Sequence, residues 1–348
     1  MAILSAGCGG KHSPQLRVFV YAGGHEKTMR EVFVPRFEAA TGVRVVLDAG
    51  WWDAIPKLKA SPPDRPPYDL VITDATQGFP AVRDGLFQQL DLSRIPNLKN
   101  LTPAVLDNWI YRERHGIPYP DSVMTLAYHK DAVAEAPRSW ADLLRDDLRG
   151  KLGMYRSFYM SLYTFACMKA AAEGKPGTAS AMVRKDLDGL LKFARSHRDR
   201  VKLWWQTSTD MTLGLVNGDC AAGNTHSPEM LQALRTQPKL GAVVPDADRA
   251  FVQVFWAVPS GTSRAELADK AIDLIFSEEM QYEFAKRGSA TAVLSAARRV
   301  AAEDPLWASL YPHTEEQFRD LRYYPYDAYF EHWDEVDKFW TREVLRNG

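Results

Sequence analysis

The sequence predicts an α/β protein built as two lobes. Apolar strands alternate with amphipathic helices along the chain, the pattern of a mainly parallel sheet flanked by helices. At 348 residues, 46% hydrophobic and 25% charged, the chain exceeds the length over which a single core keeps growing, so two cores are expected.

The elements follow in order. An apolar strand from Leu16 to Ala22 meets Gly23-Gly24, and Met29, Val32, Phe33, Phe37 and Ala40 then form one helical stripe, with Pro35 predicting a kink near Val32 to Val34. Thr41-Gly42 ends that helix, and Val43 to Ala49 is a second strand. A short helix runs from Trp52 to Ala60, and Tyr68 to Thr73 is a third strand. Gly78-Phe79-Pro80 opens another helix. Ile117 to His129, with Pro118 and Pro120 at its start, is a long strand able to cross between lobes. Ser139 to Asp142 reads as a capping box for a short amphipathic helix, and a second α/β set extends from Leu152 to Val244. Phe251 to Val258 is a buried strand, and Ser263 with Glu266 caps a helix burying Leu267, Ala271, Leu274 and Ile275. The last helix carries Tyr329, Trp333, Val336, Trp340 and Val344 on one stripe.

Composition excludes several functions. The net charge of -1 leaves no basic surplus for a phosphate backbone, so no nucleic-acid partner is expected. No apolar run approaches the roughly 20 residues of a membrane span. The three cysteines, Cys8, Cys167 and Cys220, show no zinc spacing, and no metal or cofactor is expected. Cys167 and Cys220 either pair in an oxidising compartment or sit as buried thiols. H-E-x-x-H, G-x-S-x-G and phosphate-loop motifs are missing from the sequence. Gly9-Gly10-Lys11 is followed by His12 where a hydroxyl residue is required, so the reading is of a protein that catalyses nothing.

Several stretches resemble the extracellular solute-binding proteins of ABC transporters, in the family that includes polyamine and ferric-iron receptors. They are "VFVYAGGHEKTMREVFVPRFEAATGVRVV" (Val18 to Val46), "YDLVITDA" (Tyr68 to Ala75), "IPYPDSVMTLAYHKDAV" (Ile117 to Val133) and "PRSWADLLRDDLRGKLGM" (Pro137 to Met154). "VNGDCAAGNTHSPEM" (Val216 to Met230) and the run from Phe255 to Ala297 complete the series in family order. The resemblance implies a two-lobed type II periplasmic-binding-protein fold, with mixed central sheets flanked by helices and a hinge of crossing strands. Lobe 1 would take residues 15–119 and 254–302, and lobe 2 residues 120–253 and 303–348. It also implies a monomer that closes on a small-molecule ligand and is read by an inner-membrane ABC permease. Leu4-Ser5-Ala6-Gly7-Cys8 resembles the end of a lipoprotein signal. Residues 1–14 then read as a shortened signal and tether, with Cys8 lipidated and the receptor held in the periplasm or at the outer face of the cytoplasmic membrane.

Carried over position by position, the resemblance places Gly23, Gly24, His25, Trp51, Trp52, Asp74, Thr76 and Tyr119 in the cleft, facing Arg156, Ser157, Tyr159, Asn224, Thr225, His226 and Gln253. Val252 and Val254 stand where polyamine receptors place a tryptophan and an aspartate. Ser227-Pro228-Glu229 replaces the adjacent tyrosines of ferric receptors. Arg156, Ser157, Asn224, Thr225 and His226 therefore point to an anionic organic acid, phosphate ester or phosphonate, although Asp74 and Asp121 oppose a multiply charged anion. Polyamine, ferric-iron and hydrophobic-ligand receptors of the same fold are the alternatives, followed by an enzyme or signalling protein on this fold.

Overall fold

The computed structural model describes residues 15–345. Cys8 and the 1–14 tether lie outside the described residues.

The first lobe opens with β1 (Gln15–Tyr21) and α1 (Gly24–Thr28), joined through Gly23, whose φ of 90° a side chain would strain. One π-helical turn, Met29–Phe33, leads into α2 (Val34–Thr41). The expected kink is this π turn: Pro35 has no N–H to return to the preceding turn, and the ladder widens there. Then come β2 (Arg44–Gly50), α3 (Ala54–Ala60), β3 (Leu70–Asp74), α4 (Ala75–Arg83), and the short helices α5 (Pro103–Leu106) and α6 (Trp109–Arg112). α4 begins before the expected Gly78, because Asp74 caps it by accepting from the amides of Thr76 and Gln77, which leaves Pro80 inside the helix.

The strand β4 (Ile117–His129) leaves this lobe for the second. There β5 (Leu152–Tyr155), α7 (Phe158–Ala172), α8 (Ala179–Lys185), α9 (Leu187–Ser196), β6 (Val201–Trp205), α10 (Ser208–Asn217), β7 (Ala222–His226), α11 (Ser227–Thr236) and β8 (Leu240–Val243) follow. Ser139 and Asp142 do form a capping box, but it opens a 3-10 turn, Trp140–Leu144, rather than an α-helix. The chain returns along β9 (Ala250–Ala257) to α12 (Ala265–Ile275), α13 (Glu278–Lys286) and α14 (Leu294–Glu303). Arg264 is the residue preceding α12, so Ser263 does not cap it. The tail consists of α15 (Pro305–Leu310), α16 (Glu315–Arg319), β10 (Arg322–Tyr323), α17 (Tyr326–Glu331), α18 (Trp333–Phe339) and a π turn, Trp340–Val344. The expected single last helix breaks at His332, which leaves helical geometry at φ -132°, ψ 21° and turns Trp333 away from the buried stripe of Tyr329, Val336, Trp340 and Val344.

The strands run in the order β2-β1-β3-β9-β4-β7-β5-β6, with β10 on β9 and β8 on β4. β4 belongs to both halves: Ile117 to Val123 pair with β9, and Met124 to Tyr128 pair with β7. Within each half the outer strands are parallel, whereas β4 and β9 are antiparallel to each other and to β7, β8 and β3; only the short β10 runs parallel to β9. Close approach is built in at Gly223, where a Cβ would lie 1.7 Å from the Gly153 carbonyl oxygen across the β5–β7 pair. Cys167 and Cys220 are separate buried thiols.

α7 is buried on nearly every side, as a helix apolar all round must be. Asn224 ties it to the sheet. Its Oδ1 accepts from the Tyr155 amide at 2.8 Å, and its Nδ2 donates to Ser161 Oγ at 3.2 Å and Thr164 Oγ1 at 2.8 Å. The Asn224→Ala variant leaves the buried Tyr155 amide without its acceptor and removes both bonds to α7, while Ser161 and Thr164 keep their bonds to the Tyr155 and Met160 carbonyls, and it is expected to lose about 2 kcal/mol of unfolding free energy. Its denaturation midpoint, measured in urea against the wild type, checks this.

Candidate functional site

A cleft of about 710 Å³ opens where the strands end and the two crossing strands run side by side. Tyr21, Asp74, Tyr155, Trp205 and His226 are the last residues of β1, β3, β5, β6 and β7, and all line it. Ligands of open α/β sheets bind at this carboxyl edge. Trp51 and Trp52, just beyond β2, both border the cleft and are 54% and 56% exposed, with Trp51 stacked on Tyr21 at 5.5 Å. Trp333 closes the wall from the C-terminal segment, and Tyr159 stands edge-on to Tyr155 at 5.6 Å.

The charges are all of one sign. Asp74, Asp121 and Glu229 line the cleft, and among its described lining residues there is no Lys or Arg. Asp121 reaches it through an irregularity in β4. Pro120 pairs with Gln253 and Ser122 with Val252, which leaves Asp121 as the unpaired residue of a bulge. Burial, reinforced by the negative charge of Glu229, pushes the Asp121 carboxyl up to about 7. Burial also raises Glu229, against the opposing hydrogen bond from Ser208. Asp74 is raised by burial too, although its oxygens already accept from the Thr76 and Gln77 amides at 2.7 and 3.1 Å, from the Thr76 hydroxyl and from Trp52. His226, edge-on to both Tyr155 and Trp205, has Nδ1 3.3 Å from Ser122 Oγ, and burial lowers it to about 4. It is therefore neutral near pH 7 and adds no positive charge.

Of the residues expected in the cleft, Trp51, Trp52, Asp74, Thr76, Ser157, Tyr159 and His226 line it. Gly23 and Gly24 form the exposed turn into α1 and do not. His25 lies instead against Phe284 and Trp256, with both ring nitrogens buried and unpartnered, and burial lowers it to about 4. Tyr119 is fully buried against Phe276 and Phe284. Asn224 is the α7 tie, and Thr225 is wholly buried beside it. Arg156 is not among the cleft's lining residues; it borders an adjoining depression that shares Trp52, Tyr155, Ser157 and Gln206 with the cleft and runs on to Asp337 and Thr341, while its carbonyl accepts from Trp340 Nε1 at 2.9 Å. Gln253 faces the opposite side of β9, since alternation gives Val252 and Val254 to the cleft.

Sequence reasoning missed Tyr21, Tyr155, Trp205, Glu229 and Trp333 as cleft residues. The first three were findable as terminal residues of strands. Trp333 was not, because its place depends on the break at His332.

Residues 33–311 match the family model for bacterial extracellular solute-binding proteins. The chain is 24% identical over 333 residues to the gamma-aminobutyric acid-binding protein of Pseudomonas aeruginosa, covering 88% of this chain and 90% of that one. It is 21% identical over 283 residues to the spermidine/putrescine-binding periplasmic protein of Escherichia coli, covering 80% and 79%. An ABC transporter substrate-binding protein from Bradyrhizobium japonicum superposes with a TM-score of 0.79 at 16% identity, over 96% of this chain and all of that one. The spermidine/putrescine substrate-binding protein PotD of Streptococcus pneumoniae does so with a TM-score of 0.72 at 18% identity, over 94% and 100%. The architecture is thus the two-lobed type II periplasmic-binding-protein fold. With the family model spanning most of its length and the cleft lying between its lobes, the chain belongs to the bacterial extracellular solute-binding protein family, the receptor components of ABC importers.

Proposed function

We propose that this protein is the extracytoplasmic receptor of an ABC importer for a small amine, whose ammonium groups meet Asp121 and Glu229 between the aromatic walls of the cleft. One observation carries the reading: among the described residues, Asp74, Asp121 and Glu229 line the cleft with no Lys or Arg beside them. An unpaired buried carboxylate is costly, and an alkylammonium ion supplies both the counter-charge and the hydrogen-bond donors that would offset that cost. Tyr21, Trp51, Tyr155 and Trp205 offer π faces to the same cation. The expected anionic ligand loses its support, because Arg156 and Asn224, which were to hold it, lie outside the cleft lining. Val252 and Val254 do replace the tryptophan and aspartate expected of a polyamine receptor, but the neighbouring strand brings a carboxylate to the cleft at Asp121. The relatives bind gamma-aminobutyric acid or spermidine and putrescine, all of them amines. With no Lys or Arg to receive a carboxylate, a diamine or polyamine fits this cleft better than an amino acid.

Calorimetric titration with putrescine tests the proposal. Saturable binding to the wild type is expected, with Asp121→Asn and Glu229→Gln each losing about 2 kcal/mol, or some thirtyfold in affinity. Arg156→Ala is expected to bind as the wild type does. Loss of binding in Arg156→Ala with retention in Asp121→Asn would overturn it.

The pH dependence has a definite sign. Asp121 holds its proton more tightly in the folded protein than in the unfolded chain, so its contribution to stability is complete below the ordinary carboxyl range and is lost as pH rises through about 7. A bound cation reverses this by favouring the carboxylate. The rise in melting temperature caused by putrescine is therefore expected to be larger at pH 8 than at pH 5.5, and binding at pH 6.5 to release protons, seen as a heat that varies with buffer ionisation. A pH-independent increment would contradict the role given to Asp121.

The tether at Cys8 is part of the same proposal: labelled palmitate should enter the wild-type protein in a bacterial host and not Cys8→Ser.

A further inference from the structure

The cleft, at about 710 Å³, is smaller than another cavity of the described residues. That second cavity, about 960 Å³, lies on the other face of the crossing strands. Its walls come from both lobes: Phe79 and Arg83 of α4 with Trp109 of α6 on one side, and Arg184 and Lys185 of α8 on the other. The C-terminal segment from Leu321 to Glu331 forms its end. Gln253 is the β9 residue that borders it. That side chain is 1% exposed, and its amide nitrogen has no hydrogen-bond partner. A buried amide donor left open at the border of a cavity is a cost that a ligand acceptor would remove.

The charge of this cavity is unlike that of the cleft. Arg112 is paired with Asp107 at 2.9 Å, and Arg184 makes two hydrogen bonds to Asp327, at 2.8 and 3.1 Å, through one nitrogen. Those two carboxylates are thereby occupied. Arg83 and Lys185, on helices of opposite lobes, have no carboxylate partner among the described residues. Arg322 spends its guanidinium on the carbonyls of Arg319 and Leu321. Glu113 and Glu331 stand on the exposed rim and repel a multiply charged anion. The open donors thus call for one acceptor group of single negative charge. Trp109 and Phe330, half-buried and packed on the buried Phe79 at 4.5 and 5.4 Å, supply an aromatic wall for an apolar body.

We infer that this cavity is a second small-molecule site, taking a monocarboxylate with an apolar body between Arg83 and Lys185, with the Gln253 amide as a donor at its floor. The site communicates with the cleft through β9. Val252 and Val254 face the cleft and Gln253 faces the second cavity, so a rotation of the lobes about this strand that narrows one opens the other. A carboxylate bridging α4 and α8 holds the rear walls together and opposes closure at the front. By linkage, whatever factor it takes from the affinity of the cleft ligand, that ligand takes from its own.

The site does not depend on the amine reading, and its test begins without an amine. Benzoate is titrated calorimetrically into the full chain, with benzamide as the uncharged control. Saturable one-to-one binding of benzoate is expected, with benzamide at least about tenfold weaker because it lacks the charge-assisted bonds. Arg83→Ala/Lys185→Ala, a change of two exposed side chains, is expected to abolish the benzoate heat, and Asp121→Asn in the cleft to leave it unchanged. Absence of saturable binding would overturn the inference. So would binding that survives the double variant, or binding lost in Asp121→Asn, which would assign benzoate to the cleft. Saturating benzoate should then weaken putrescine binding, and the double variant should remove that effect; unchanged putrescine affinity would refute the coupling. Failure of putrescine to bind at all would count against the cargo and not against the benzoate result.

Discussion

β4 hydrogen-bonds to both halves of the molecule, and the rest of the structure hangs on that sharing. Its first half pairs with β9 and its second half with β7 and β8, so neither sheet is complete without it. The change of partner is accompanied by a bulge, and the extra residue of the bulge is Asp121. A regular strand would alternate strictly between faces, and the bulge breaks that alternation at one point, as bulges near binding sites commonly do. The bulge lies three residues before β4 changes partner at Met124, and it sets a carboxylate beside the junction of the two halves.

The two faces of the hinge then carry different chemistry. On the cleft side, carboxylates stand among tryptophans and tyrosines with no Lys or Arg among the described lining residues. On the other side, cations and carboxylates of both lobes are partly paired, and a glutamine amide is left open. In a well-satisfied interior such groups would be matched, and unmatched polar groups gather where a ligand is to complete them. The frame around them is well packed. α7 is buried on nearly all sides and tied by Asn224, and Gly153 and Gly223 bring β5 and β7 into close contact. The walls of the cleft are thus held by groups that lie behind its lining.

Much of the architecture was legible from periodicity and turn chemistry. The strands beginning near Leu16, Val43 and Tyr68 were placed within a residue or two, and Pro35 marked the π turn. Local signals failed where a tertiary contact chose between options. Pro80 suggested a later helix start, but the Asp74 side chain moved it forward. The stripe from Tyr329 to Val344 suggested one helix, yet packing Trp333 against Phe330 and Phe158 goes with a break at His332.

By itself the sequence determined the α/β class, through hydrophobic period, and the expectation of two cores, through length; its resemblance to the solute-binding family is what pointed to Trp51, Trp52, Asp74 and His226, which stand at or just beyond strand ends. Only the tertiary structure decided which way the remaining candidates face. Gln253 lies between Val252 and Val254 on a strand, where adjacent side chains point to opposite faces, so it can match a family pattern while pointing away from the cleft. Asn224 shares the face of His226 but lies deeper, bonded to Tyr155, Ser161 and Thr164. The sign of the cleft was likewise a tertiary outcome. Asp121, Glu229 and Asp74 are far apart in sequence, and only the crossing of β4, with its bulge, sets them around one space and keeps Arg156 outside it.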